Sequence, residues 1–503
     1  MAQQPSASWI RAGRGLPALL AGAAGLVLVA ALVITLVVQP WAGQEGQFVS
    51  PTPTPLPPPA AVLLGAADAA PAPTPAGVRD ALAALVGSSE LGSRVGVSVV
   101  DPLTGEEFYG SAARTPIIPA STIKLVTAAT VLAARGPAYQ LETRVVAGER
   151  PGEVVLIGGG DPTLAVDENG FYPGAARLDD LAGQVLEALD GAPVQRVIVD
   201  SGLFDGPVHG PWEADIVTGG FVGPITALMT DGGRIDPDPA QEQRASLRFR
   251  EPDLAAGEAL AALFGLEPAA VSRGSAPRPP AETPPPDPVA SAAPSRELRP
   301  GEQLGAVSSP PILRLVELML TTSDNVLAEA LARQVALARG EPASYEGAAT
   351  AMAKVLAELG VPVGGEVVFA DGSGLSRQNR LTAGLLTDLL SATVTGPAQP
   401  VLAGLAGGLP VAGWSGTLAD RYRTAEGAGD GGAVQRPPAP GAGMVRAKTG
   451  SLNRVNALAG LVITADGRLL AFALLTDDVP VAPERARQVL DAIAGALAGC
   501  GCR

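Results

Sequence analysis

Residues 16–38 form an unbroken run of 23 apolar or small residues, preceded by Arg11 and Arg14. A membrane-spanning helix needs roughly 20 such residues. This run divides the chain before any other feature is weighed. Residues 1–15 are expected to stay in the cytoplasm, held by the two arginines, and residues 16–38 to cross the membrane. Everything after Trp41 then folds outside. A cleaved export signal has an apolar core of only about 7–15 residues and a small-residue cleavage site. Gln39, Pro40 and Trp41 follow here instead, with a Trp suited to the interface. The run therefore reads as an uncleaved signal anchor, with a buried core helix as the alternative.

Residues 39–77 are rich in proline, including SPTPTPLPPPAA and APAPTPAG. Such sequence is extended and semi-rigid, so it reads as a spacer lifting the rest of the chain off the membrane. Structured sequence begins near Val78. Residues 78–86 have helical spacing, the alternating RVGVSVV at 94–100 predicts a strand, and residues 107–109 begin its hairpin partner. An apolar, Ala-rich stretch predicts a helix over 121–134. Residues 138–299 differ in character, with strand-like runs at 154–157 and 197–199, many Gly and Asp turns, and a Pro-rich loop at 277–294. Helices are expected again at 311–320, 324–337, 345–359 and 383–392. Strands are expected at 444–447, 457–463 and 469–475, and a last helix at 483–497. Residues 78–137 and 300–498 thus read as one domain that flanks an insert.

Composition narrows the chemistry. Thirty-five basic and 50 acidic residues leave a net charge of −15. An acidic chain repels phosphate backbones, so nucleic acid is not an expected partner. His209 is the single histidine, which excludes zinc sites built on several histidines and leaves one possible imidazole base. His209 itself reads as a surface loop residue. Cys500 and Cys502 sit at the extreme C-terminus and read as a frayed tail, with a small disulfide or weak metal binding as alternatives. The body of the chain has no disulfide. Arginine replaces lysine almost everywhere, and the only lysines are Lys124, Lys354 and Lys448.

Two of those lysines fall in short patterns that suit nucleophilic catalysis. In Ser121-Thr122-Ile123-Lys124, helical spacing puts the hydroxyl and the amine on one face. A helix N-terminus there adds a positive field that favours an alkoxide. Burial or a second cation would lower the lysine pKa enough for it to act as a base. The alternative is a surface lysine behind a helix cap. Ser323-Asp324-Asn325 precedes another predicted helix, where an N-cap is the plain reading. A serine and an asparagine two apart could also face one cleft, to relay a proton and orient an amide. Lys448-Thr449-Gly450-Ser451 follows an apolar run, and Gly450 permits close approach of a ligand backbone. Lys448 and Thr449 could hold a carboxylate. The Ser451 amide, with that of Ser121, could meet an oxyanion. An ordinary strand end is the alternative.

Each pattern is modest alone, but the three in this order resemble the serine β-lactamases and penicillin-binding proteins. The chain resembles in particular the class C penicillin-binding proteins, the D-alanyl-D-alanine carboxypeptidase/endopeptidase family. Three further stretches carry that resemblance: Gly158-Gly159-Gly160-Asp161-Pro162-Thr163-Leu164, Asp371-Gly372-Ser373-Gly374-Leu375-Ser376, and Lys448-Thr449-Gly450-Ser451-Leu452. So does the roughly two-hundred-residue gap between the first two motifs, which that family fills with extra domains. The resemblance spans about residues 78–498.

It implies an α+β fold, an antiparallel sheet flanked by helices, with a β-rich insert between the first and second motifs. It implies peptidoglycan stem peptides as substrates, β-lactams as covalent inhibitors, and neither a metal nor an organic cofactor. Catalysis would fall to Ser121, Lys124, Ser323, Asn325 and Lys448. Thr449, Gly450, Ser451 and Asp161 would bind substrate, Asp161 as an insert carboxylate reading the side-chain end of the stem peptide. A Gly-rich turn is the plain reading of Asp161. Arg454 stands where many relatives have a small residue, so it would narrow the cleft or meet an acidic peptide end. Asp371 reads first as turn chemistry. A β-lactamase or esterase on the same fold, and a catalytically inactive wall-binding scaffold, are the rival readings.

Overall fold

The structure, a computed structural model, describes residues 69–237, 246–278, 298–422 and 440–502. The expected membrane span at 16–38, most of the spacer at 39–77 and most of the Pro-rich loop at 277–294 lie outside the described residues. No helix among the described residues is long and apolar enough to cross a membrane.

The first sheet has five strands: β1 (Arg94–Val100), β2 (Glu107–Ser111), β8 (Val445–Leu452), β9 (Val455–Ile463) and β10 (Leu469–Asp477). Their order is β2-β1-β10-β9-β8, antiparallel throughout. Strands β9 and β10 are buried along their whole length, because both faces of the sheet are covered. Their alternate residues feed two different cores, as the two-residue period of a strand requires. Ala457, Ala459, Leu461, Ala471, Ala473 and Leu475 pack toward α2 (Lys124–Arg135), α5 (Ile312–Thr322), α6 (Asn325–Ala338), α7 (Tyr345–Glu358) and α8 (Ala383–Ala392). Leu458, Val462, Leu470, Phe472 and Leu474 pack toward α1 (Pro75–Val86) and α9 (Pro483–Ala498). Fully burying each leucine contributes about 1.5–3 kcal/mol.

The second sheet belongs to the insert. Its strands are β3 (Glu142–Ala147), β4 (Glu153–Ile157), β5 (Arg196–Asp200), β6 (Val271–Arg273) and β7 (Gln303–Ser308), in the order β6-β5-β4-β3-β7. The β4-β5-β6 pairs are parallel and the other two antiparallel. α3 (Leu178–Ala188) and α4 (Pro252–Leu263) cover its apolar face through Leu181, Val185, Ala256 and Leu260. The insert is thus built on a mixed five-stranded sheet, with these two helices on one face. Its boundary also moves: β7 at 303–308 pairs with β3, so the insert reaches Ser308 and not residue 299.

Most expected elements appear within a few residues of their predicted bounds. Helix α1 starts at Pro75, inside the expected spacer, with the Thr74 side chain capping it. The C-terminus departs more. Cys500 and Cys502 are joined as a disulfide, Cys500 is buried, and Thr74 N donates to Cys502 O at 2.7 Å. The terminal segment is therefore docked against the start of α1 and not frayed.

Candidate active site

Ser121 lies in a short 3₁₀ turn, Ala120–Ile123, that runs directly into α2 at Lys124. Three residues per turn stack Ser121 over Lys124 more closely than an α-helix would. The Lys124 Nζ donates to Ser121 Oγ at 3.0 Å. Ala120 precedes the serine at φ +46°, a left-handed conformation that costs a non-glycine residue about 1–2 kcal/mol.

Lys124 is fully buried. Its amine also donates to Asn325 Oδ1 at 2.7 Å and to Ser373 O at 2.6 Å. Burial lowers its pKa to about 8, against the opposing pull of Asp371, Glu329 and Asp324. A lysine at the first position of a helix also faces the positive end of the dipole. As a neutral amine it has two N–H bonds and one lone pair. The two carbonyl oxygens satisfy the N–H bonds, which leaves the lone pair for the Ser121 hydroxyl.

The second motif splits its duties. Asp324 is the N-cap of α6, accepting from Leu327 N at 2.9 Å, so the cap reading holds for the middle residue. Ser323 sits between α5 and α6 at φ +62°, and this left-handed turn brings its Oγ within 2.9 Å of Lys448 Nζ. Asn325 opens α6. Its Nδ2 donates to Phe221 O at 2.9 Å, which fixes the amide with Oδ1 toward Lys124.

The third motif is inside β8, whose strand runs on to Leu452 and does not end before Lys448. Lys448 is fully buried, and its pKa is lowered by burial first and by Lys124 second. A Cβ on Gly450 would stand 2.7 Å from Pro119 O, so glycine lets β8 close onto the turn that carries Ser121. Thr449 Oγ1 lies 2.8 Å from Thr417 Oγ1, and Ser451 is exposed.

A fourth stretch completes the cluster. In the 371–376 loop, Asp371 accepts from Gly374 N and Ser376 N, both at 2.7 Å, and from Asn379 Nδ2 at 2.7 Å. Turn chemistry is therefore its main task. Glu329 accepts from Ser373 N at 2.8 Å and Gly372 N at 3.2 Å. Together the two carboxylates aim Ser373 O at Lys124. Burial, and Asp371 beside it, hold the Glu329 carboxyl well above its usual pKa.

Other candidates fall elsewhere. Asp161 is buried, and its Oδ1 accepts from Thr163 N and Oγ1 at 2.8 and 2.6 Å, as a turn residue does. Its Oδ2 has no partner among the described residues, and burial raises its pKa to about 6. Arg454 is exposed in the β8–β9 turn and pairs with Asp478. His209 is exposed. Among the described residues no group of three His, Cys, Asp or Glu is placed to hold a metal ion.

Sequence reasoning missed Glu329, Thr417, Phe221 and the insert residues that touch Asp324, and it held Ser373 only as part of the 371–376 stretch. For Glu329 there was a signal: Glu329 and Arg333 stand four apart as the two charged residues of a largely apolar helix. Thr417 stands 32 residues from Thr449, and Phe221, Arg234 and Tyr172 stand 90 or more from Asn325 and Asp324, with no local pattern to mark them.

Comparison with known proteins finds relatives over most of the chain. The chain is 39% identical over 442 residues to a carboxypeptidase of Mycobacterium tuberculosis, covering 87% of each. It is 30% identical over 463 residues to a D-alanyl-D-alanine carboxypeptidase of Actinomadura, covering 77% of this chain and 78% of that one. Its fold is similar to that of penicillin binding protein 4 from Haemophilus influenzae, with a TM-score of 0.61 at 20% identity, over 84% of this chain and 98% of the other. Residues 78–262 and 289–499 match the D-Ala-D-Ala carboxypeptidase 3 (S13) family, and the chain belongs to it.

Proposed function

We propose that Ser121 is the acyl-forming nucleophile of this serine-type D-Ala-D-Ala carboxypeptidase, with Lys124 as its base. The observation that carries the reading is convergence. Side chains from three motifs, together with the 371–376 loop, meet around two buried amines, and Lys124 Nζ touches Ser121, Asn325 and Ser373.

The substrate is the D-Ala-D-Ala end of a peptidoglycan stem peptide. Neutral Lys124 takes the Ser121 proton as Oγ attacks the carbonyl carbon of the penultimate D-Ala. The Ser121 and Ser451 amides face the developing oxyanion. The intermediate collapses, the C–N bond breaks, and the proton passes to the leaving amine through Ser323. Asn325 orients the peptide. Lys448 supplies positive charge, and Thr449 contacts the terminal carboxylate. Water then attacks the acyl-enzyme and regenerates Ser121. β-Lactams enter by the same acylation.

Residues 16–38 tether the enzyme to the membrane, with the catalytic part on the wall side. The apolar length and the flanking arginines support this placement.

The test is release of D-Ala from a diacylated Lys-D-Ala-D-Ala peptide by the full-length protein. Release by wild type and none by Ser121→Ala supports the assignment. Rapid hydrolysis of penicillin without D-Ala release would favour a β-lactamase.

A further inference from the structure

The insert grips Asn325, which contacts Lys124, and also Asp324 and Asp371, which adjoin or organise the two groups that accept from the Lys124 amine. Phe221 O accepts from Asn325 Nδ2 at 2.9 Å. The Arg234 guanidinium donates to Asp324 Oδ2 at 3.1 Å, inside a pair that is 5% exposed on each side. Tyr172 Oη donates to the same oxygen at 2.8 Å and accepts from Arg234 at 2.9 Å. The guanidinium is stacked 3.6 Å above the Phe171 ring, which fixes its plane. Trp212 Nε1 donates to Asp371 Oδ2 at 3.0 Å.

The two non-reacting acceptors of the Lys124 amine are Asn325 Oδ1 and Ser373 O. Asn325 follows Asp324, and Ser373 sits in the loop that Asp371 organises. We propose that residues 212–234 of the insert, with Tyr172, form a brace that holds both acceptors in register, so that Trp212, Phe221, Tyr172 and Arg234 are positioning residues for proton transfer. This rests on the assignment of Lys124 as the base.

The physical argument is one of tolerance. A misplacement of about 1 Å in a reacting pair can cost about 100-fold in rate. Asn325 is the first residue of α6 and Ser373 belongs to a loop, so neither is fixed by regular hydrogen bonding on both sides. Charged, buried hydrogen bonds from a second layer supply the missing rigidity. The insert therefore completes the site as well as lining it.

The test uses the full-length protein with Tyr172→Phe, Trp212→Phe, Arg234→Lys and Arg234→Gln. D-Ala release gives kcat and KM, a fluorescent penicillin gives the acylation rate, and thermal unfolding gives the folded fraction. The brace predicts that Tyr172→Phe and Trp212→Phe each lower kcat and acylation about 10-fold, with KM within about two-fold of wild type. It predicts about 100-fold for Arg234→Gln, with most of that recovered in Arg234→Lys. Should Arg234→Gln fail to fold, the Tyr172 and Trp212 variants decide. Folded variants with wild-type kcat, or with a change in KM alone, would overturn the brace while leaving Ser121 in place. A wild-type protein that takes no label would overturn the Ser121 assignment, and the brace with it.

Discussion

Lys124 Nζ stands 3.0 Å from Ser121 Oγ, on the one side of the amine that fixed carbonyl oxygens do not occupy. This geometry makes the protonation state of Lys124 the control on acylation. Burial brings its pKa down to about 8. At pH 7 about one molecule in ten then carries the free base. The acylation rate is expected to rise about ten-fold per unit between pH 6 and 7 and to level off above pH 8. Stopped reactions with labelled penicillin across pH 5.5–9.5 measure it. A flat profile would show that Lys124 does not titrate in the step.

Ser323 pays a conformational cost for its position. It is left-handed, at φ +62°, and its hydroxyl meets Lys448. Both Ser323→Ala and Ser323→Gly remove that hydroxyl and should lower kcat by about 10²–10⁴-fold, the range for one positioned proton-transfer group. Glycine tolerates the left-handed turn and alanine does not. Ser323→Gly should therefore be more stable than Ser323→Ala by about 1 kcal/mol, as read by chemical denaturation.

The Asp324–Arg234 pair makes a prediction about acid. Burial opposes charge on Asp324, but Arg234 and Arg248 outweigh it and hold the pKa at about 2. The folded value is depressed, so the stabilisation is full above the ordinary carboxylate pKa and is lost as pH falls through about 2. It is worth about 2 kcal/mol. Between pH 4 and pH 2 the wild type should lose about that much more stability than Asp324→Asn. Denaturant titrations at several pH values compare the two, and parallel curves would contradict the pairing.

How much of this was legible in the sequence follows from how local each feature is. The alternation at 94–100 and the apolar runs of β9 and β10 are local, so these strands could be read directly, whereas the Ser121–Lys124 spacing pointed to a nucleophile only together with the two later motifs. Ser323-Asp324-Asn325 could be read only as a cap or as a motif, and the structure makes it both, with Asp324 capping while its neighbours face the two lysines. β7 was not legible as a strand of the insert, because its partner β3 lies over 150 residues away. Arg234, Tyr172 and Trp212 carried no signal, since their partners Asp324 and Asp371 belong to another sheet's domain.

The 371–376 loop depends on one residue that has no substitute. Gly374 has φ +87°, and a Cβ there would stand 2.0 Å from Ala120 O, next to the nucleophile. Gly374→Ala must distort either the loop or the Ser121 turn. It should cost about 2 kcal/mol or more in stability. Penicillin labelling of the remaining folded protein should fall about 100-fold. Thermal unfolding and gel fluorescence measure the two effects separately.

Peptide mapping of the penicillin-treated full-length protein tests the central assignment most directly. The geometry predicts a single acyl adduct on the peptide containing Ser121, and none in Ser121→Ala. An adduct on another residue, or undiminished labelling of Ser121→Ala, would contradict it.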